Sequence, residues 1–474
     1  MKIIGLVGLA IYFVVLLFAV TREKKNENIE DFFFGKRSLS SIALAITFVA
    51  SWWGAGSALS TADLAYQNGL SAFLYYGAPV LISTFLMILA AKKIRAVGYL
   101  TQGKMMEARY NKAVAKMLSL MILTFMVINA ASQMVGVGDF FGSYLGISYE
   151  WAIVLGTSIV LVYSMFGGFR AVVLTDIIQF ILLTISALLV FVVAMYYAGG
   201  WSGISQEAQV LDKPGYMNLW TNASTYFVYI VTFGCSWMIQ ANVWQRISAA
   251  KNKDEARKMT IISFFVYIPL YLIVVLTGMA GLVLFPDGAP NGGVVSAITM
   301  NYMPILLGAF VFVGISAAIM STMDSLINTA AMTIAIDLTK EKTEASWQLK
   351  ISRIATVLVT VVAFVIAVRI RSILAVSWIA SDVITTGAFV PLVGGFFWRR
   401  GNSKGAMSSM AFGLVFSGYN LLISLGIPLP SFWQQASATQ MLLGVGVASI
   451  LYIGVSLLTE PEYQKADQFI ALSK

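Results

Sequence analysis

Small polar side chains and one carboxylate share a face of an otherwise apolar stretch, GISAAIMSTMDSLINTAAMT. At about 100° per helical residue, Ala318, Ser321, Thr322, Asp324 and Ser325 project within an arc of about 160°. Hydroxyl, carbonyl and carboxylate oxygens are hard ligands that suit a hard alkali cation. Hydrogen bonding between helices explains the serines and threonine well, but it explains the aspartate poorly. The pattern therefore favours a cation site.

A second unusual cluster interrupts the segment SIALAITFVASWWGAGSALSTADLAY. Its middle, Ala50 to Ser57, combines Trp52 and Trp53 with Gly54 and Gly56. Tryptophan usually lies at the edges of a membrane span rather than its middle, and closely spaced glycines permit a helix to unwind. A close helix contact through Gly-x-Gly would also account for the glycines. We favour a discontinuous helix whose free carbonyl groups coordinate an ion.

The segment STYFVYIVTFGCSWMIQANVW over 224–242 carries Gly234, Ser236 and Gln240 in its interior. This second interrupted span follows the first by five spans. Paired interruptions at corresponding positions indicate an inverted-repeat transporter with its binding site at the repeat interface. We therefore predict that spans two to six and seven to eleven are the two repeats.

The amino-acid composition indicates which kind of secondary structure carries the polar residues described above. Hydrophobic residues make up 59% of the 474 residues and charged residues 11%, against roughly 45–50% and about 25% in soluble proteins. No aqueous core of this size could bury that much apolar surface. The chain has no histidine and one cysteine, Cys235, which excludes histidine-based catalysis, histidine-ligated metals and an internal disulfide. We predict an all-α integral membrane protein.

Thirteen apolar runs are long enough to span a bilayer. With the N-terminus outside and the C-terminus inside, 27 of the 31 Lys and Arg residues fall in inner segments, as the positive-inside rule requires. The same rule explains the net charge of +9 without nucleic acid. The predicted organisation is a first helix with an interfacial lead-in (1–40), one five-helix repeat (41–196), an exterior loop (197–223), a second repeat (224–398) and two peripheral helices with a short tail (399–474).

Three further aspartates fall inside or near predicted spans, and such groups commonly mark an ion or substrate path. Asp176 lies near the inner start of span six, where an interfacial position is the alternative. Asp63 lies near the outer end of its span, where solvation is the alternative, and Asp382 falls within IASDVITT. No nucleophile–base pair or nucleotide-binding loop is visible, so the sequence predicts no enzyme.

In three of its motifs the sequence resembles the sodium:solute symporter family. Three signatures carry the resemblance: GGFRAVVLTDIIQ (Gly167 to Gln179), SAAIMSTMDS (Ser316 to Ser325), and the Q-x-x-x-x-QR ending of span seven (Gln240 to Arg246). It covers nearly the whole chain, from DFFFGKRSLS to GGFFWRRG. The resemblance implies a LeuT-like core of ten helices in two inverted five-helix repeats.

The resemblance also implies which residues hold sodium. The shared sodium site would use the carbonyl groups of Ala50, Trp53 and Ala318 with the hydroxyls of Ser321 and Thr322. Some family members bind a second sodium, for which the matching positions are Ser321, Asp176, Asp324 and Ser325. Asp324 stands where those carriers have a serine, and two neighbouring carboxylates could hold sodium or share a proton.

The family's solute pocket maps onto three helices. The resemblance assigns it to residues of the first core helix, the next helix and span seven: Trp52, Gly56, Ser57, Tyr75, Tyr76 and Gln240. The sequence ASWWGAG is most similar to the choline branch, which holds a quaternary ammonium by cation–π attraction at the Trp52 position. Gln240 replaces the second tryptophan of that branch, so an amino acid or another neutral or zwitterionic solute is an equal expectation.

These observations predict a sodium-coupled secondary active symporter that imports a small organic solute by alternating access through the plasma membrane. Sodium is the expected cofactor ion, and a small solute and the bilayer are the expected partners, with no nucleic acid and no obligate protein partner. Two alternatives remain: a proton-coupled carrier that uses Asp176 and Asp324, and a transport-inactive sensor on the same fold.

Overall fold

The structure is a computed structural model that describes residues 2–21, 37–166, 169–339, 345–424, 426–430 and 437–473. All regular elements in these ranges are helices. The predicted interfacial lead-in falls mainly on residues 22–36, outside the described residues.

The helices run in chain order with short connections. The first half contains α1 (Lys2–Thr21), α2 (Ser41–Ala50), α3 (Thr61–Asn68), α4 (Ala72–Tyr75), α5 (Gly77–Val97), α6 (Gln102–Arg109), α7 (Lys112–Leu145), α8 (Tyr149–Phe166), α9 (Phe169–Tyr197) and α10 (Gly200–Val210). The second half contains α11 (Ala223–Met238), α12 (Ala241–Ser248), α13 (Lys253–Leu284), α14 (Val294–Asn301), α15 (Ile305–Met332), α16 (Ala345–Arg369), α17 (Ile373–Gly387), α18 (Phe389–Phe397), α19 (Ser403–Ser424), α20 (Ser437–Leu458) and α21 (Tyr463–Leu472).

Nine described helical stretches are long and apolar enough to cross a bilayer, and the bent pair α17–α18 makes a tenth. Two shorter apolar helices, Ser41–Ala50 and Tyr149–Met165, accompany them. These elements agree with the predicted all-helical membrane protein. The count of thirteen spans and the orientation of the termini stay predictions.

Helix α15 lies at the centre of the bundle. Every residue from Val311 to Ile327 is buried, and the helix packs against α1, α7, α9 and α16. A helix covered on all sides must be apolar around its whole circumference. The few polar side chains of α15 are therefore surrounded by protein rather than lipid, as the sequence pattern predicts.

Both predicted interruptions occur. Helix α2 ends at Ala50, and the chain continues into a π-helical turn over Gly56–Ser60 that leads into α3. Helix α11 ends at Met238 and α12 begins at Ala241, so Ile239 and Gln240 form the second break.

A third break was not predicted. Helices α17 and α18 meet at a 43° bend around Ala388. Pro391 has no amide hydrogen and cannot donate to the carbonyl group of Gly387, which removes one helical hydrogen bond. The Ser409 hydroxyl of α19 donates to that carbonyl instead, at 3.4 Å. Proline is one of the few identified causes of a sharp kink.

Two glycines let α17 and α19 approach each other closely. A methyl group added at Gly413 would collide with the Cα and amide nitrogen of Gly387. Backbone atoms cannot move aside as a flexible side chain can. The contact between these two helices therefore depends on glycine at both positions.

We expect Gly413→Ala to lower the midpoint of thermal unfolding of the detergent-purified protein, with a cost of about 1–3 kcal/mol from overpacking. Gly418→Ala on the same helix is the matched control, because a methyl group there meets nothing within 4 Å. That control should leave the midpoint unchanged or raise it slightly, since alanine favours a helix more than glycine. Equal midpoints for the two variants would contradict the proposed role of the glycine contact.

Candidate functional site

The first break exposes backbone carbonyl groups to side chains from other helices. The Thr322 hydroxyl of α15 donates to the carbonyl oxygen of Ala50 at 3.2 Å. The Asn242 amide of α12 donates to the carbonyl oxygen of Ser51 at 3.3 Å. Carbonyl oxygens freed from the helix are thus held within reach of α12 and α15.

All five residues predicted for the shared sodium site are buried: Ala50, Trp53, Ala318, Ser321 and Thr322. The structure joins two of them directly, through the contact between Thr322 and Ala50. Ser321 donates its hydroxyl hydrogen to the carboxylate of Asp176. The indole ring of Trp53 packs against Tyr271, with the ring centroids 4.6 Å apart.

The donor chemistry fits an alkali cation. The groups gathered here are carbonyl and hydroxyl oxygens beside a single carboxylate, which are hard ligands. Among the described residues, no three His, Cys, Asp or Glu side chains come together as a metal cluster would require. The break between α2 and α3, which α15 contacts through Thr322, is therefore a candidate cation site.

A polar network surrounds Asp176 on α9. Its carboxylate accepts hydrogen bonds from Thr47 of α2 and from Ser321. The Arg246 guanidinium of α12 lies 3.4 Å from the same carboxylate and donates to the Ser325 hydroxyl at 2.7 Å. Both charged side chains are almost completely buried, with exposures of 1% for Arg246 and 0% for Asp176. The positively charged Arg246 side chain thus contacts Asp176 and Ser325, two of the positions predicted for a second sodium.

Asp324 has a different partner. Its carboxylate accepts a hydrogen bond from Ser164 of α8. Tyr163, the neighbouring residue, donates to the carbonyl oxygen of Met320 at 3.3 Å. Three of the four positions of the predicted second site, Asp176, Ser321 and Ser325, belong to the polar network around Asp176 and Arg246. The fourth, Asp324, accepts its hydrogen bond from Ser164 of α8 instead.

A cavity lies beside the first break. Four of the six residues predicted for the solute pocket line it: Trp52, Gly56, Tyr76 and Gln240. Thr322 also lines it, so this residue belongs both to the cavity and to the candidate ion site.

The other two predicted pocket residues point elsewhere. The hydroxyl groups of Ser57 and Tyr271 form a hydrogen bond of 2.8 Å. Tyr75 accepts a hydrogen bond of 2.9 Å from the indole of Trp378 and packs against Tyr229, with ring centroids 4.3 Å apart. Neither Ser57 nor Tyr75 lines the cavity.

Five cavity residues were missed by the sequence reasoning: Asn129, Gln133, Trp237, Leu326 and Ser377. Asn129 and Gln133 are four residues apart on α7, which places both amides on one helical face. A pair of amides at that spacing inside a long apolar helix was the available signal. Trp237 sits one residue before the end of α11, beside the second break.

Aromatic rings and side-chain amides both line the cavity. The rings of Trp52 and Trp237 meet edge to face at 6.1 Å, and Tyr76 packs on Trp237 at 5.0 Å. The Gln133 side-chain oxygen accepts a hydrogen bond of 2.8 Å from the amide nitrogen of Ala55. The cavity volume is about 20 Å³, which is room for about one water molecule between the ring faces and the uncharged polar groups.

Comparisons with known proteins agree with this geometry. The model of the sodium:solute symporter family matches residues 32–413. The sodium/glucose cotransporter of Vibrio parahaemolyticus is 25% identical, over 94% of this chain and 90% of its own length. The high-affinity proline transporter PutP of Bacillus subtilis (strain 168) is 26% identical, over 96% and 98%.

A solved structure shares the fold. The structure of a sodium-coupled sialic acid symporter in a substrate-bound outward-open state aligns with a TM-score of 0.80 at 19% identity, over 97% of this chain and 98% of that one. The relatives are transporters rather than enzymes. The extent of the family match, together with the broken helices and the buried oxygen donors, shows that this chain belongs to the sodium:solute symporter family.

Proposed function

We propose that the protein is a sodium-coupled secondary active symporter that imports a small organic solute through the plasma membrane by alternating access. In this proposal the chain has thirteen spans, with the N-terminus outside and the C-terminus inside. The observation that carries the proposal is the position of Thr322, whose hydroxyl contacts the Ala50 carbonyl and also lines the cavity. One side chain therefore connects ion binding with solute binding.

Sodium would be held by the carbonyl groups of Ala50, Trp53 and Ala318 and the hydroxyls of Ser321 and Thr322. These groups come from α15 and from the end and break of α2, so an ion bound by all of them would draw the two helices together. The cavity wall contains residues of both helices, so the shape of the cavity would depend on the ion. Each ion that enters down 100 mV contributes about 2.3 kcal/mol from the membrane potential alone.

We propose that a single sodium drives each cycle. The Arg246 guanidinium supplies positive charge between Asp176 and Ser325, where a second sodium would otherwise bind. A fixed cation at this place compensates the buried carboxylate, which would be costly to bury alone.

The strongest alternative is proton coupling. Asp324 is buried, and its carboxylate accepts a hydrogen bond from Ser164, so it is a second intramembrane carboxylate that a proton could neutralise. The second alternative is a transport-inactive sensor, which would bind its ligand without any sodium-dependent flux.

The test is flux into proteoliposomes under an imposed sodium gradient, with glucose, proline, pantothenate and choline as labelled probes. We expect one probe to accumulate transiently with inward sodium and not with inward potassium at constant pH. Accumulation that needs a pH gradient and ignores sodium would establish proton coupling through the carboxylates. Binding of a probe without flux under either gradient would support the sensor.

A further inference from the structure

Gln133 of α7 contacts the chain at the first break, beside the residues proposed to hold sodium. We propose that Gln133 is a positioning residue for the ion. Its side chain caps the helical segment that resumes after the break, and it thereby holds the carbonyl group of Trp53 near the hydroxyl of Thr322. This role rests on the proposed sodium symport, and Gln133 is not itself an ion ligand in it.

The helical segment that resumes after the break lacks a cap of its own. The carbonyl oxygen of Gly54 accepts from the amide of Ala58 at 2.9 Å, one helical turn further on. The amide groups of a first turn have no partner inside their helix, and a polar side chain usually accepts from one of them. Neither Gly54 nor Ala55 has a side chain that could do so. The side-chain oxygen of Gln133 accepts from the amide of Ala55 at 2.8 Å instead, so α7 supplies the missing acceptor.

The same oxygen limits where the break can lie relative to α15. A methyl group at Gly54 would lie 2.1 Å from the Gln133 oxygen and 3.0 Å from Cβ of Thr322. The backbone at Gly54 is therefore close to both α7 and α15. Trp53, whose carbonyl group would bind sodium, directly precedes this glycine. A shift of the backbone at Gly54 would therefore move that carbonyl group relative to the Thr322 hydroxyl.

Gln133 is itself held in place on α7. It is buried, with an exposure of 5%, and its side-chain nitrogen donates to the Ser132 hydroxyl at 3.0 Å. That hydroxyl donates in turn to the carbonyl oxygen of Asn129 at 2.7 Å. Gly136, about one turn further along, lets α7 approach the break, because a methyl group there would lie 2.3 Å from Cβ of Ala55. The capping oxygen therefore belongs to a long helix that packs directly on the break.

The test is the sodium concentration that gives half of the rise in thermal midpoint of the purified full-length protein. It is measured without solute, in mixtures of sodium and potassium chloride at constant ionic strength. Gln133→Met keeps the length of the side chain but lacks the accepting oxygen, and Gln133→Asn keeps an amide that is too short to reach Ala55. We expect both to raise this concentration about tenfold, the loss of roughly one hydrogen bond. Gln133→Glu retains an accepting oxygen and should bind sodium at least as tightly as the wild-type protein.

Gln102→Met is the matched control. Gln102 is a buried glutamine of α6 that also bonds to the backbone at a helix break, since its side-chain nitrogen donates to the carbonyl oxygen of Ile239 at 2.9 Å. That carbonyl belongs to the second break and not to the candidate ion site. The control should therefore lower the midpoint in potassium and leave the sodium concentration at half-rise unchanged.

The variants separate the positioning role from a purely structural one. A wild-type sodium dependence in both Gln133→Met and Gln133→Asn would overturn it. An equal loss of sodium affinity in Gln133→Glu would overturn it as well, because the accepting oxygen would then not be the cause, and so would an equal loss in Gln102→Met. A wild-type midpoint that is the same in sodium and in potassium would contradict the proposed symport itself, and this role with it.

Discussion

We expect Thr322→Val to weaken sodium-dependent stabilisation and uptake roughly ten- to hundredfold. Valine has nearly the volume of threonine but lacks the hydroxyl that contacts the Ala50 carbonyl at 3.2 Å and lines the cavity. A hydrogen bond or ligand contact to a charged partner contributes about 1.5–3 kcal/mol, so sodium affinity should fall roughly ten- to hundredfold. The measurement is the sodium concentration that gives half of the rise in thermal midpoint, with Ser321→Ala as a second variant.

Thr360→Val on α16 is the control for this substitution. Thr360 is also buried, but its hydroxyl donates to the carbonyl of Thr356 at 2.7 Å within its own helix. We expect the control to bind sodium as the wild-type protein does. Sodium affinity that is unchanged in Thr322→Val would remove Thr322 from the ion site.

Arg246→Gln should produce the largest loss of stability of the substitutions considered. It removes the cation 3.4 Å from Asp176 and leaves a buried carboxylate without charge compensation. Breaking a buried ion pair by removing one partner typically costs about 3–5 kcal/mol. The double variant Arg246→Gln with Asp176→Asn removes both charges and should recover much of the loss, which a double-mutant cycle on thermal midpoints measures.

The same variant tests the sodium stoichiometry. If the guanidinium takes the place of a second ion, Arg246→Gln should steepen the sodium dependence of the thermal midpoint from one-site towards two-site behaviour. High sodium should then partly restore the midpoint. Arg399→Gln is the control, because Arg399 and Asp467 form an exposed pair with exposures of 60% and 51%, where water screens the charges. If Arg246→Gln still showed a single-site sodium dependence, the hypothesis that the Arg246 guanidinium takes the place of a second sodium ion would be wrong.

The sequence was most informative where a residue type was unusual for the middle of a membrane span. Two tryptophans and two glycines at mid-span indicated the first break, and the structure ends α2 at Ala50. The hydroxyl face of α15 was visible from helical periodicity alone, since every position belongs to one helix. The broken helix indicated free carbonyl groups, and the family resemblance added which of them would take part, those of Ala50, Trp53 and Ala318.

Contacts between distant helices were the part that the sequence could not supply. Arg246 stood in a recognised motif, yet its partner Asp176 lies seventy residues away, and nothing local connects the two. Gln133 is an ordinary polar residue in a long helix until the fold brings it to Ala55. The bend at Ala388 had a visible cause in Pro391, but the reasoning looked for glycine and tryptophan rather than proline.

The glycine contact between α17 and α19 has a consequence for the surrounding lipid. Because a methyl group at Gly413 would collide with the backbone of Gly387, we expect the bent pair α17–α18 and α19 to move as one unit. Helices α19 and α20 pack together and expose side chains such as Val415 (74%) and Ile450 (71%). Any rocking of the bent helix would therefore deform the adjacent acyl chains. We expect the turnover of the proposed symport to depend on bilayer thickness, because mismatch between helix and membrane has an energetic cost.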